Sequence, residues 1–492
     1  MDHKLLANLL FPNLKWTREE IESRYPKRNL SEGAMVTRFA PSPTGFIHMD
    51  EGPTIGGNYG PYIQSERKEI YEAFVYDLLL KGYAYPAFEK EEELEQLRKL
   101  QAQEKVRIGY YGKYAKGREL TLEEIQEKLD QKIPYVIRLK APGCFDNKFE
   151  FKDCIKGKIQ LPSNDMDIVL LKRDGLPTYH FAHVVDDYLM HTTHVVRGDE
   201  WLSSVPIHLQ LFRLLEVKPP KYAHIAPLTK KDGESIRKLS KRYDKECSMD
   251  YYQKEGIPNE AIQLYLGTIL NASFEDYYLM NKATKVTDFK FEFQKMGVGG
   301  SLFDLNKLHF ISKVYLSRLT ATTLYEKMIP YYREYDNVFY ELLMKYPEMS
   351  IDVLNVEREI KKPRKDFASY SDIKKETWYM YDALFFEENH YERAPIKDSY
   401  QLNLVKTYFQ EVYEESDSKE VWYQKLKEFI SIHGYAKTVK EYQEDENKYI
   451  GHVGDFCEMI RVYLLRRLET PDIYELLKIL GKERIQKRLQ LY

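Results

Sequence analysis

Two short stretches, far apart in the chain, carry residues suited to a polyphosphate. The first is Arg38-Phe39-Ala40-Pro41-Ser42-Pro43-Thr44-Gly45-Phe46-Ile47-His48. A strand-like run over 35–40 meets two prolines and a glycine, which cannot continue a central strand and force a turn. The turn leads to a histidine that can be aimed at phosphate. The second stretch is Lys238-Leu239-Ser240-Lys241-Arg242. Its lysines are mobile point charges able to meet phosphates, although such a run taken alone is equally a solvated loop. Between them lie Asp174-Gly175-Leu176-Pro177-Thr178-Tyr179-His180-Phe181-Ala182-His183-Val184-Val185-Asp186-Asp187 and His194-Val195-Val196-Arg197-Gly198-Asp199-Glu200-Trp201-Leu202. His180, His183, His191, His194, His208 and His224 make up half of the chain's 12 histidines. Zinc is one reading of them, but no carboxylate–histidine set has clean ligand spacing.

These residues need elements to hold them. The spacing predicts an amphipathic helix over 67–85 with Gly82 near its end, and charged helices over 89–105 and 120–131. Short strands are expected over 133–140 and 149–161. The apolar run 167–171 suits a buried parallel strand, residues 195–198 another, and 203–215 a helix. This alternation predicts a doubly wound α/β core carrying an insertion. Beyond about residue 250 the chain turns helical, with candidate helices at 258–271, 323–333, 372–388, 401–415, 419–433, 451–467 and 472–490. The run 357–365 reads as a charged loop, and residues 1–36 as a polar lead-in with a short helix at 4–10.

With 492 residues the chain exceeds one ordinary core. An apolar fraction of 43% beside 31% charged residues fits a folded, soluble protein rather than a disordered one. No apolar run is long enough to cross a bilayer, and the opening residues lack the order of a secretory leader. Cys144, Cys154, Cys247 and Cys457 are too few and scattered for a disulfide framework, and none forms a C-x-x-C pair. Reduced thiols in the cytoplasm are the expectation. The net charge of −3 does not decide about nucleic acid, because a local basic stripe can meet phosphates.

The motifs together resemble the class I glutamyl-tRNA synthetases. The first stretch is similar to the opening of their ATP site, residues 238–242 to their Lys-Met-Ser-Lys-Ser loop, and the block 174–202 to their amino-acid-binding face. Further similarity runs through Pro219-Pro220-Lys221-Tyr222-Ala223-His224, Ser301-Leu302-Phe303-Asp304, Pro363-Arg364-Lys365-Asp366 and Gly451-His452-Val453-Gly454-Asp455. The resemblance implies a glutamate–tRNA ligase that uses ATP and Mg²⁺ and takes L-glutamate and tRNA(Glu) as partners. A soluble, cytoplasmic monomer is expected. It implies that His48, Lys238 and Lys241 are catalytic and that Arg38, Tyr179 and Arg197 surround the substrate's side-chain carboxylate. Two guanidinium forks and a phenol suit an anionic side chain. His48, Trp201, Lys238, Ser240 and Lys241 would bind ATP.

The implied architecture is a lead-in (1–36), a Rossmann-like catalytic core (37–88 and 165–246) and an acceptor-stem-binding insertion (89–164). A stem-contact region (247–322) and an all-α anticodon-binding region (323–492) follow. Where some relatives carry zinc-binding cysteines, this chain reads Tyr85-Pro86-Ala87-Phe88-Glu89, so no zinc is expected.

One departure stands out. After His48 the family continues into a long helix and a second strand, whereas here Met49-Asp50-Glu51-Gly52-Pro53 follows at once. The expected core is therefore incomplete by one βα segment. The alternative this raises is a catalytically inactive relative that still binds tRNA.

Overall fold

The computed structural model describes residues 1–38, 58–240, 243–281, 285–387 and 399–492. The turn at 41–45, His48, the Asp50-Glu51 pair, Lys241 and Arg242 lie outside the described residues. The chain divides into two compact units, residues 1–228 with 291–301, and residues 229–290 with 302–492.

The first unit opens with α1 (His3–Leu10) and α2 (Arg18–Ser23). The Asp2 carboxylate accepts the Lys4 and Leu5 backbone N–H groups, and Thr17 and Glu20 form a reciprocal capping box. Helix α1 buries Leu6, Ala7 and Leu10 in the same core as α3 (Lys68–Leu80), so the lead-in is part of that core. In α3, Ile70, Phe74 and Leu78, four residues apart, with Tyr71 and Val75 beside them, form the buried stripe. The chain leaves α3 through Gly82, whose φ of +73° is left-handed. A Cβ there would also meet the His3 ring at 2.8 Å.

Next come β1 (Ala84–Ala87), α4 (Glu91–Gln103), α5 (Leu122–Asp130) and β2 (Val136–Leu139). The hairpin β3 (Lys148–Asp153) with β4 (Gly157–Pro162) follows, and then β5 (Val169–Leu171). Strands β1, β2 and β5 form one sheet in that order, antiparallel throughout. The apolar run 167–171, expected to be parallel, therefore runs against its neighbour. An unbroken apolar run reports burial on both faces and carries no information about direction.

The parallel part of the unit is a βαβ element: β6 (His194–Gly198), α7 (Val205–Leu214) and β7 (Lys221–Ile225). The two strands pair from His194↔Lys221 to Gly198↔Ile225. Helix α6 (Tyr179–Leu189) precedes it and shares a core with α3 and α7 through Phe181, Val184, Val185, Tyr71, Phe74 and Leu211. The Val36 carbonyl accepts the Thr193 and His194 N–H groups at 3.0 and 3.2 Å, which docks residues 36–38 at the start of β6.

The second unit begins with the hairpin β8 (Leu228–Asp232) and β9 (Ser235–Lys238). Asp232 pairs with Ser235 across a two-residue loop, and Gly233, at φ +61°, supplies the left-handed residue such a turn requires. Helices α8 (Met249–Glu255), α9 (Asn259–Leu270), α10 (Ala272–Met280) and α11 (Leu305–Arg318) follow. Further helices then run from Ala321–Tyr335 to Ile473–Leu489 around an aromatic core that includes Trp378, Tyr379, Tyr381 and Tyr408.

The helix expected over 372–388 is broken. Tyr370–Thr377 is α-helical, and a tight turn over Trp378–Met380 then lets Trp378, Tyr379, Met380 and Tyr381 all bury. Four consecutive residues cannot share one face of an α-helix. The expected loop over 357–365 has no regular helix or strand. Its Arg358 is nonetheless buried, donating to the Leu354 and Leu316 carbonyls at 2.7 and 2.6 Å, and burial lowers its pKa to about 10.

Candidate functional site

Helix α6 starts at Tyr179, the exposed residue of its first turn, while Phe181 and Ala182 of that turn are buried. Tyr179 is 38% exposed, its ring 4.3 Å from that of Trp201 and stacked on His183. Trp201 lies in the tight turn after β6, and its backbone carbonyl accepts Arg197 Nη2 at 3.3 Å. Arg197 comes from β6. Its Nε donates to His224 Nε2 at 3.0 Å and its Nη1 to His208 Nδ1 at 3.2 Å, and its guanidinium lies over the Tyr222 ring. Among the described residues Arg197 has no ion pair. A partly buried guanidinium held by imidazoles and a carbonyl keeps its charge uncompensated, and such a site favours an anion.

Arg38 sits differently. Its Nε and Nη2 donate to the two oxygens of Asp187 at 3.0 and 2.8 Å. Asp187 is 3% exposed and also pairs with His183 Nδ1, whose Nε2 in turn accepts from the Tyr222 hydroxyl at 2.9 Å. Burial opposes charge on Asp187, but His183 and Arg38 outweigh it and hold the carboxyl well below the ordinary value. Its neighbour Asp186 accepts Arg67 Nε at 2.9 Å and the Tyr71 hydroxyl at 3.0 Å. There burial wins, and the Asp186 pKa is raised. The adjacent carboxylates Asp186 and Asp187 thus hold arginines from either side of residues 39–57.

The histidines form a packed array. His180 Nδ1 is 3.0 Å from His208 Nε2, and His224 Nδ1 is 2.6 Å from Asp153. Burial, then neighbouring positive charge, lowers the pKa values of His180 and His208. His183 is also lowered, because burial outweighs its carboxylate partner. Neutral imidazoles are what a cation such as Arg197 can use as acceptors. No group of three or more His, Cys, Asp or Glu among the described residues could hold a metal ion. No helix among the described residues is long and apolar enough to cross a membrane.

In the second unit, Lys238 ends β9 and Ser240 follows it. Asp244 closes the base of this loop, accepting Arg237 through both oxygens at 2.6 and 2.8 Å and the Ser240 N–H at 2.8 Å. The Arg237 pair and the Ser240 N–H hold Asp244 well below its ordinary pKa.

Of the residues the sequence points to, Arg38, Tyr179, Arg197 and Trp201 are brought together around His183, His208 and Tyr222. His48 and Lys241 lie outside the described residues. Reading the sequence missed the supporting groups. Asp153 and Tyr71 carry no motif, Arg67 and His224 were given no role, and His208 stood out only as a metal candidate. The Asp186-Asp187 pair on a largely buried helix was an available signal, since buried acids require partners.

Residues 53–309 match the family described as tRNA synthetases class I (E and Q), catalytic domain, and residues 324–492 the family described as anticodon binding domain. The catalytic match begins downstream of residues 38–48. The chain is 39% identical to the glutamate–tRNA ligase of Clostridium beijerinckii, with all of each chain covered. That alignment runs to 551 positions against 492 residues here, so it holds tens of positions where this chain has none. A glutamate–tRNA ligase of Thermus thermophilus is 33% identical, over 90% of this chain and 86% of that one. A crystal structure of a glutamate tRNA ligase from Elizabethkingia meningosepticum superposes with a TM-score of 0.69 at 24% identity, covering 90% of this chain and 85% of that chain.

Proposed function

Because the chain belongs to the class I tRNA synthetases of the glutamate and glutamine type, we propose that it activates L-glutamate with ATP and transfers the glutamyl group to the 3′ end of tRNA(Glu). The observation that carries this is the 39% identity to a glutamate–tRNA ligase along the full length of both chains. In the first step the α-carboxylate of glutamate attacks the α-phosphorus of ATP, forming glutamyl-adenylate and releasing pyrophosphate. In the second, a hydroxyl of the terminal tRNA ribose attacks the acyl carbon, and AMP leaves.

Arg197 and the Tyr179 hydroxyl take the substrate's side-chain carboxylate, with Arg38 contributing the part of its guanidinium not committed to Asp187. Trp201 borders the bound substrates, and Ser240 lines the ATP site. His48, Lys238 and Lys241 stabilise the phosphate charge as pyrophosphate leaves. Mg²⁺ would accompany ATP and offset the phosphate charge. Residues 37–88 and 165–246 serve as the catalytic core and 89–164 as the acceptor-stem insertion. Residues 247–322 contact the stem and 323–492 the anticodon. The protein acts as a cytoplasmic monomer.

The test is glutamate-dependent ATP–pyrophosphate exchange with tRNA(Glu) present, beside a tRNA gel shift. Exchange that requires glutamate supports the reading. Retained tRNA binding without exchange sinks it.

A further inference from the structure

Arg197 can hold its orientation only if the atoms around it accept hydrogen bonds. A guanidinium has donors and no acceptor. Its Nε points at His224 Nε2, 3.0 Å away, so that ring nitrogen must carry a lone pair. The His224 proton is then on Nδ1, which donates to Asp153 at 2.6 Å. A doubly protonated or Nε2-protonated His224 would set N–H against N–H. Both groups are sealed from water, His224 at 0% and Asp153 at 2% exposure. The carboxylate itself is fixed by the backbone. Asp153 Oδ1 accepts the Ile155 and Lys156 N–H groups, each at 2.9 Å, and the His224 N–H lies 3.3 and 3.2 Å from its two oxygens.

Asp153 ends β3, in the 148–162 hairpin, while Arg197 and His224 lie side by side on β6 and β7. We infer that Asp153 and His224 are positioning residues for amino-acid recognition, the hairpin carboxylate selecting the imidazole tautomer that aims Arg197 at the substrate's side-chain carboxylate. This inference rests on the proposed glutamate-binding role of Arg197. It gives the hairpin a task in specificity in addition to any contact with RNA.

Asp153→Asn tests it with little change in shape. The backbone donors to Oδ1 fix the amide oxygen there, which turns the amide NH₂ toward His224 Nδ1. That nitrogen must then accept, the proton moves to Nε2, and it faces Arg197 Nε–H. A buried carboxylate-to-amide change of this kind acts through the wrong tautomer rather than through packing.

On the full chain we expect the glutamate Kd, by calorimetry, to rise about tenfold or more, as for loss of a charged hydrogen bond. The KM for ATP in exchange should move less than threefold. His224→Gln, whose amide oxygen can stand in for Nε2, should recover part of the affinity that His224→Ala loses. Nitrogen-15 spectra of the imidazole report the tautomer directly, with the proton on Nδ1 in the native protein and on Nε2 in Asp153→Asn. A switched tautomer with unchanged glutamate affinity overturns the inference, and so does an Nε2 proton in the native protein. If the native protein binds no glutamate, the functional reading fails and the role in specificity falls with it. The tautomer spectra then still decide whether Asp153 sets the His224 proton that orients Arg197.

Discussion

Replacing Asp187 by Asn should destabilise the first unit by about 3–5 kcal/mol, the range for removing one partner of a buried ion pair. Asp187 is 3% exposed and satisfies both the Arg38 fork and His183 Nδ1. An amide keeps the shape, but it offers one acceptor oxygen where two carboxylate oxygens stood. It also leaves the Arg38 charge, on a side chain only 20% exposed, without its counter-ion. The side chain is mostly out of water, so solvent screening takes away little of this. With a urea m-value of about 1–3 kcal/mol per molar, the unfolding midpoint should drop by at least 1 M or so. The transition should be followed by hydrogen exchange of α6 amides, which report the first unit rather than the helical second one. Arg38→Gln should cost less in the Asp187→Asn background than in the native one, by about 0.5–3 kcal/mol of coupling. A midpoint within about 0.2 M of the native value, or additive costs in the double variant, would refute the reading that this pair organises the site.

Acid should weaken the same unit well before Asp187 protonates. Burial holds His180, His183 and His208 below their ordinary value of 6.5. The unfolded chain therefore binds protons first, and stability falls as pH drops below about 6.5, by at most about 1.4 kcal/mol per pH unit for each imidazole. The Asp187 contribution persists above its unfolded value of 3.8 and is lost only far below it. Asp186, held high, works in the opposite sense, and its contribution fades as pH rises past 3.8. Urea midpoints at pH 7.5, 6.5 and 5.5 should fall in that order, and a flat profile would count against buried neutral histidines. Lys241→Ala should lower ATP–pyrophosphate exchange while leaving tRNA affinity in a gel shift unchanged, and equal loss of both would remove its assignment to the phosphates.

Much of the fold could be read from periodicity. The helix expected over 67–85 is Lys68–Leu80, that over 203–215 is Val205–Leu214, and that over 419–433 is Lys419–Ile432. These segments carry an apolar stripe at helical spacing and end on recognisable signals. The misses came where several adjacent residues bury together. The Trp378–Tyr381 run and the apolar 167–171 run carry no periodicity that distinguishes a turn from a helix, or parallel from antiparallel pairing. The site divides in the same way. Arg38, Tyr179, Arg197 and Trp201 stand in long motifs, which bring them to attention in the sequence. Asp187 and Asp186 stand in the 174–187 block too, but they and Asp153 act through partners 149, 119 and 71 residues away, and an acid in a sequence gives no sign of where its counter-charge will come from.

The charges around α6 show why the amino-acid side of the site can be considered apart from the nucleotide side. Arg38 is offset by Asp187 and Arg67 by Asp186, so neither pair adds a strong net field. Arg197 has no ionic partner among the described residues, and it stands beside an exposed phenol and an indole. One uncompensated guanidinium distinguishes an anionic side chain from its amide by a charged hydrogen bond, a difference of about 1.5–3 kcal/mol. The residues proposed for that discrimination, Arg38, Tyr179 and Arg197, lie within the described residues of the first unit. On the proposed roles, phosphate chemistry instead draws on His48 and Lys241, and the segment after His48 is the place where the sequence departs from the family pattern. On those roles, glutamate binding needs only the first of these sets of residues, whereas adenylate formation needs both. A defect in exchange that spares glutamate binding would place the fault with the nucleotide, at the junction after His48, and leave the Arg197 pocket intact.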